Sequence, residues 1–388
     1  MTSWKRRLRM GMVGGGQKAH IGAVHRLCAA MDGQVEIVAG CFSRDYDNTK
    51  ITGEQLYLDP ERCYRTFEEM ADREARLPAD QRIDFVVIVT PNNSHFVIAK
   101  KFLEKGFHVS CDKPMTYSLQ EARDLAELVE RTNLVFGLTH NYTGNALVRE
   151  ARELFRSGKM GTVRKAIVEY VGDFLAYPHE KEGQKQAVWR VDPRQSGLGG
   201  TLADVGSHAF NLLEHITGDM VKELCADKSS FLPDRTLDDD ANILVRLAGG
   251  GKGVITVSQI ASGEENALRL RVYGSKGAIV WDQENPNYMS VWFYGEPRQT
   301  YTRASHYLSA AAREMCRVPT GHPEGYLEAF ANIYDGFVEA VRAFIDAKPL
   351  AIEKYKFPTV YDGLRGMDFI TKAVESADKG SIWVQMES

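Results

Sequence analysis

Between Leu8 and Thr139, short apolar runs alternate with longer stretches whose apolar residues recur every three or four positions. The runs Leu8 to Val13, Val35 to Phe42, Asp84 to Thr90, His108 to Cys111 and Leu134 to Thr139 have the length of strands, and the segments between them have the periodicity of helices. Phe85-Val86-Val87-Ile88-Val89 shows no alternation at all, which is the pattern of a strand buried on both faces at the centre of a parallel sheet. Ser118 to Arg131 is the clearest helix. Ser118 is placed to cap it, Glu121 stands three residues on as in a capping box, and Leu119, Ala122, Leu125, Ala126 and Val129 share one face. Strands alternating with helices in this way predict an α/β, doubly wound parallel sheet.

After Thr139-His140-Asn141-Tyr142 the rhythm changes. A helix over Ala146 to Ser157 leads into strand-like sequence: Val163 to Tyr170, Val221 to Phe231, Ala241 to Leu247, Gly253 to Ala261, Leu268 to Tyr273, Ala278 to Trp281 and Tyr288 to Tyr294. Turn residues such as Gly249-Gly250-Gly251 and Gly274-Ser275-Lys276-Gly277 separate the runs, and several of them alternate, so antiparallel pairing is expected. Helices return over Tyr326 to Asp346 and Val360 to Asp378, and Asp173 to Leu198 reads as a long loop. The expected organisation is a first domain over residues 1–142 and an α+β domain with a large, mainly antiparallel open sheet over residues 143–388. An exposed face on that second sheet would make a homodimer or homotetramer natural.

A chain of 388 residues exceeds the usual size of a single core, which agrees with two domains. With 44% hydrophobic and 26% charged residues and a formal net charge of −4, the composition supports neither a nucleic-acid partner nor attraction to an acidic membrane. No apolar run approaches a membrane span. Lys5, Arg6 and Arg7 resemble a twin-arginine export signal, but no apolar stretch follows them, so they read as a solvated lead-in to the first strand. The six cysteines are scattered without a Cys-x-x-Cys spacing and read as reduced thiols in a cytoplasmic protein.

Gly14-x-Gly16-x-x-Ala19 follows one predicted strand and opens a predicted helix, Ala19 to Met31, the context that separates a dinucleotide fingerprint from a chance glycine cluster. In it Gly14 makes the tight turn, Gly16 admits a pyrophosphate close to the backbone, Ala19 permits close helix-strand packing, and Gln17 and Lys18 lie in the same loop. The second strand ends at Ser43-Arg44-Asp45. Arg44 would suit a 2′-phosphate and leans the cofactor expectation slightly from NAD towards NADP, while Asp45 could reach the ribose hydroxyls of NAD. Thr90, Pro91, Asn92 and His95 lie in the next crevice segment, and Lys113, fixed by Pro114, ends the strand after it. An ammonium there would stabilise an oxygen that gains negative charge. Further on, Asp204 and His208 stand four apart before an amphipathic helix, so a carboxylate and a possible general base share a face. No third metal ligand accompanies them, and no metal is expected. Asp238-Asp239-Asp240 reads as a solvated entry to a strand.

These motifs, in this order, closely resemble the Gfo/Idh/MocA family of oxidoreductases: Gly14-Gly15-Gly16, Thr90-Pro91-Asn92, Asp112-Lys113-Pro114 where the family commonly has Glu-Lys-Pro, and Gly199-Gly200 through Asp204-Val205-Gly206-Ser207-His208. The resemblance implies a Rossmann domain followed by a substrate-binding domain, and NAD(P)-dependent exchange of hydride with a secondary alcohol or ketone of a sugar, anhydrosugar or inositol. It implies that Lys113 and the Asp204/His208 pair meet at the nicotinamide, His208 as proton acceptor, Lys113 as electrostatic partner of the reacting oxygen and Asp204 as orienter of substrate and base. Asn141 is expected to contact cofactor, and Tyr142, Trp189 and Arg190 are expected to contact a sugar. Two other activities are compatible with the same fold: transient use of bound NAD to cleave a glycosidic bond, and non-catalytic sensing of a sugar or cofactor.

Overall fold

Five strands, β1 (Leu8–Gly14), β2 (Val35–Cys41), β3 (Phe85–Val89), β4 (His108–Cys111) and β5 (Phe136–Leu138), form a parallel sheet in the order β2-β1-β3-β4-β5. The computed structural model describes residues 6–387 of the chain. As the absence of alternation predicts, all five residues of β3 are buried and the strand is central. The order reverses between β1 and β3, and the carboxyl ends of these strands define the crevice where such sheets take ligands. The capping box is present: Ser118 Oγ accepts from the Glu121 amide, the Glu121 carboxylate accepts from the Ser118 amide, and helix Leu119–Thr132 ends at Asn133 with φ +53°.

The basic lead-in is less solvated than its sequence implies. Lys5 lies outside the described residues and Arg7 is exposed, but Arg6 grips Asp84 with two hydrogen bonds of 2.6 and 2.7 Å, and Asp84 also accepts from the Arg9 amide. A charged residue is drawn here because Asp84, mostly buried before β3, needs a partner.

The first unit runs to His140 and then takes up Phe330–Leu364 as well, which corrects the expected assignment of those residues to residues 143–388. Apolar and polar contacts hold the returning segment. Phe337 packs edge-on against Phe85 with centroids 5.2 Å apart, Tyr334 Oη lies 2.6 Å from His25 Nδ1, and the Leu138 amide donates to the Pro358 carbonyl at 2.8 Å. That last bond, with a bridge between Gly137 and Thr359, covers the outer edge of β5, which would otherwise present unpaired backbone groups.

The second unit comprises Asn141–Ala329 and the chain from Arg365 onward. Its nine-stranded sheet has the order β13-β12-β11-β10-β6-β9-β8-β7-β14. The strands are β6 (Val163–Val171), β7 (Val221–Ser229), β8 (Asp240–Leu247), β9 (Lys252–Ser258), β10 (Ala267–Gly274), β11 (Gly277–Asp282), β12 (Tyr288–Phe293), β13 (Gln299–Thr302) and β14 (Val384–Gln385). Pairing is antiparallel throughout except between β6 and β9, which run parallel. Alternation separates the faces clearly in β8, where Ala241, Ile243, Val245 and Leu247 are buried and Asn242, Leu244 and Arg246 are exposed. The segment read as a long loop contains helices Lys185–Arg190 and Pro193–Ser196. Arg235 pins its early part by donating to Glu180 and to the carbonyls of Leu175 and Tyr177. Among the described residues no disulfide is formed, and no described helix is long and apolar enough to cross a membrane.

The first unit buries neutral histidines. Burial holds His25 and His108 down to about 4, and His108 Nδ1 accepts from the Val135 amide at 3.0 Å, a bond that protonation of that nitrogen breaks. Because the unfolded chain binds these protons near pH 6.5 and the folded chain does not, the stabilisation is complete above that pH and is lost as pH falls towards 4. The expected loss between pH 7 and pH 5 is roughly 2 kcal/mol per histidine. Urea unfolding at the two pH values checks this, and equal stability at both contradicts it.

Candidate active site

In the first unit the site is built on the turn between β1 and helix His20–Ala30. Gly14 and Gly15 adopt φ of +86° and +73°, and a Cβ on Gly14 would lie 2.6 Å from the Val89 carbonyl oxygen. Gly16 donates to the Phe42 carbonyl at 3.0 Å, and a Cβ there would lie 2.6 Å from Asn48 Oδ1. The Gln17 amide donates to Asn48 Oδ1 and Thr52 Oγ1, so the helix Tyr46–Gln55 fixes the turn from the side. Lys18 takes φ +65°, and Ala19 begins the helix with no side-chain cap, which leaves the first amides to an anion. A cavity of 690 Å³ opens beside the turn, lined among others by Gly16, Lys18, His20, Arg26 and Thr52. A backbone cradle with no room for side chains, facing an uncapped helix start, fits a dinucleotide. Asn48 and Thr52 were not singled out from the sequence, although their spacing of four on one helix was visible there.

At the tip of β2, Ser43 Oγ accepts from the Asp45 amide, and Asp45 caps the next helix by accepting from the Asp47 amide. Arg44 is exposed. Thr90 receives a hydrogen bond from Ser94 Oγ at 2.7 Å, and Asn92 is buried. His95 departs from its expected cofactor contact. Its ring is buried, with Nε2 2.8 Å from the Thr90 carbonyl oxygen and Nδ1 2.9 Å from that of Pro114. Two carbonyls favour a proton on each nitrogen, but burial is the larger effect and lowers the pKa. His95 therefore clasps the tips of β3 and β4 together. Lys113 follows β4 with a cis peptide to Pro114, and the Asp112 carboxylate accepts from the Lys113 amide and from Thr139 Oγ1, both at 2.9 Å.

In the second unit, Asp204 lies in a π-helical turn, Leu202–Gly206, that passes directly into helix Ser207–Thr217 carrying His208. The expected pair thus shares one helical course, wound wider than an α-helix at the carboxylate, a form that recurs at functional sites. The triple aspartate explains why the turn holds. Asp238 and Asp239 are buried, contrary to the expected solvated strand entry: Asp238 accepts from the amides of Gly200 at 2.8 Å and Leu202 at 2.7 Å, and Asp239 accepts from those of Phe231 and Leu232. Burial raises the Asp238 carboxyl pKa, and its bonds to these amides oppose the shift. Gly200 is required there, since a Cβ would lie 2.3 Å from the Asp238 carbonyl oxygen.

Asp204 Oδ2 accepts from Arg190 Nε and Gln259 Nε2, each at 2.9 Å. The Arg190 fork expected to reach a sugar is thus directed at Asp204 and at Gln186, while its Cζ lies 4.5 Å from the centroid of the Trp189 ring. His208 is buried with its ring edge-on to Tyr142, centroids 4.9 Å apart. Tyr142 presents its ring rather than its hydroxyl. The hydroxyl is closed into a ring of hydrogen bonds with Tyr170, at 2.7 Å, and Asn266, at 3.3 Å, while Tyr170 donates to Asn266 Oδ1. Asn141 is buried, and its Nδ2 has no partner among the described residues. Tyr170, Asn266 and Gln259 carried no functional signal in the sequence, where Asp238 reads only as part of a solvated strand entry. Among the described residues, no group of three His, Cys, Asp or Glu side chains is arranged for a metal.

Residues 8–140 match the profile of an oxidoreductase family with an NAD-binding Rossmann fold, and residues 148–280 match the GFO/IDH/MocA C-terminal domain. The chain is 33% identical over 383 residues to the uncharacterised oxidoreductase YfiI of Bacillus subtilis, with 98% of this chain and 97% of the relative covered. The crystal structure of an inositol dehydrogenase homologue from Azotobacter vinelandii complexed with NAD+ is similar with a TM-score of 0.94 and 35% identity, covering 98% of both chains. The homologue's complex with NADH and myo-inositol gives a TM-score of 0.92 and 33% identity, again over 98% of both chains.

If Asp238 holds the turn that carries Asp204, its loss leaves two buried amides without acceptors. Asp238→Ala is expected to destabilise the protein by about 2–4 kcal/mol, measured as a shift in the urea midpoint. A change within about 0.5 kcal/mol, the usual scatter of surface substitutions, would show that the turn does not depend on this carboxylate.

Proposed function

Because the chain belongs to the Gfo/Idh/MocA family of oxidoreductases, we propose that it oxidises a ring hydroxyl of a neutral cyclic polyol, an inositol or a sugar or anhydrosugar, or reduces the matching ketone, with NAD(H). The observation that carries this reading is the junction of a clamped carboxylate, Asp204, with a buried histidine, His208, on one helical course. The myo-inositol bound in the Azotobacter homologue supports a cyclic polyol. So does the charge balance, since the Arg190 guanidinium is already matched by Asp204 and does not call for an anionic substrate.

In the proposed reaction His208 takes the proton of the reacting hydroxyl, and Asp204 orients the substrate and stabilises the imidazolium that forms. Lys113, its backbone fixed by Asp112, stabilises negative charge on the reacting oxygen. Trp189 gives the polyol an apolar surface. The turn at Gly14, Gly16, Gln17, Lys18 and Ala19 would hold the dinucleotide, which supplies the hydride acceptor when bound. Lys113→Ala and His208→Ala are each expected to lower turnover by roughly 10²-fold or more with little effect on NAD(H) affinity. Steady-state rates at 340 nm with inositols and sugars check this; near-wild-type turnover in both variants would reject the assignment.

For the cofactor we infer NAD(H). The lean towards NADP that Arg44 suggested has no support in relatives whose structures hold NAD+ or NADH, and Asp45 stands at the same strand tip. Wild type is expected to bind NAD(H) more tightly than NADP(H), and Arg44→Ala is expected to leave NAD(H) binding unchanged. The opposite preference, with NADP(H) weakened by about one to two orders of magnitude in Arg44→Ala, would restore the phosphate contact. Dissociation constants from fluorescence titration distinguish the two.

A further inference from the structure

We propose that Gln259 is a positioning residue that sets the angle of the Asp204 carboxylate, an inference that rests on the roles given above to Asp204 and His208. Gln259 follows β9 and is 6% exposed. Its backbone is held on both sides, the amide donating to the Asp239 carbonyl at 3.0 Å and the carbonyl accepting from the Leu175 amide at 2.8 Å. The side chain has one orientation that satisfies its surroundings. Thr201 Oγ1 donates to Oε1 at 3.1 Å, which directs Nε2 to Asp204 Oδ2 at 2.9 Å.

Gln259 therefore holds the π-helical turn at two points, Thr201 just before it and Asp204 at its middle. Arg190 reaches the same carboxylate oxygen from the segment that carries Trp189. The two donors divide the work. The guanidinium balances the charge of Asp204, whereas the amide brings no charge and ties the carboxylate to the rigid end of β9. Without the amide, the carboxylate follows Arg190 alone, and a displacement of about 1 Å beside a catalytic base is enough to cost roughly 10²-fold in rate.

The test compares Gln259→Leu and Gln259→Glu with wild type and His208→Ala, using NAD+ and the polyol that gives the highest rate in the screen. Circular dichroism and melting temperature establish that each variant is folded. In Gln259→Leu, kcat is expected to fall about 10- to 100-fold with KM for NAD+ nearly unchanged, and the acidic limb of the pH profile of kcat/KM, which His208 sets as the base, should move to higher pH as the Asp204 carboxylate, relieved of one donor, favours the imidazolium more strongly. Gln259→Glu, which sets a second carboxylate beside the first, should move that limb further, because the added negative charge favours the protonated form of His208. Wild-type turnover and superimposable profiles in both variants overturn the proposal. So does a fall in activity with an unmoved acidic limb, the signature of a structural role alone. Wild-type activity in His208→Ala would instead overturn the reading on which the proposal rests.

Discussion

The carboxylate of Asp238, shared between the amides of Gly200 and Leu202, determines whether the helical course bearing Asp204 and His208 can start where it does. A helix that begins inside a protein exposes amides no earlier carbonyl can satisfy, and each buried amide left without an acceptor costs about 1–3 kcal/mol. Bringing a charged acceptor inside is also unfavourable, as the raised pKa of Asp238 shows, so the arrangement persists only because both needs meet in one group. The same constraint recurs around Lys113, the other half of the proposed chemistry. Asp112 satisfies the Lys113 amide and Thr139, and His95 bridges two carbonyls at the tips of β3 and β4. Positions close to the expected chemistry are therefore fixed by polar groups bonded to the backbone around them.

What was legible in the sequence was what local pattern determines. The unalternating Phe85–Val89 announced a central strand, Ser118 with Glu121 announced a helix start, and the glycines of the first turn announced a backbone cradle. The spacing of Asp204 and His208 placed them on one helical course, although it did not reveal the π-helical winding. The remainder depended on partners distant in sequence. Three consecutive aspartates look solvated until the amides of Gly200, Leu202, Phe231 and Leu232 are known to face them. A glutamine at the end of a strand carries no pattern at all. The short outer strands β13 and β14, polar and only four and two residues long, gave too little alternation to register.

Arg190, expected to contact a sugar, has its fork turned to Asp204 and Gln186. Its planar fork suits a sugar, but a carboxylate is a stronger partner than a hydroxyl, and Asp204 is within reach. Tyr142 repeats the lesson with its hydroxyl enclosed by Tyr170 and Asn266. In both cases a side chain chosen for its outward chemistry is bonded to a neighbour that it stiffens.

The return of Phe330–Leu364 to the first unit bears on the order in which the protein is made. Synthesis releases all five strands of the parallel sheet long before Phe337 and Pro358 emerge, so for most of translation β5 has a bare edge and Phe85 lacks the ring that packs against it. The unit whose sheet is translated first is thus completed only when this later segment has emerged.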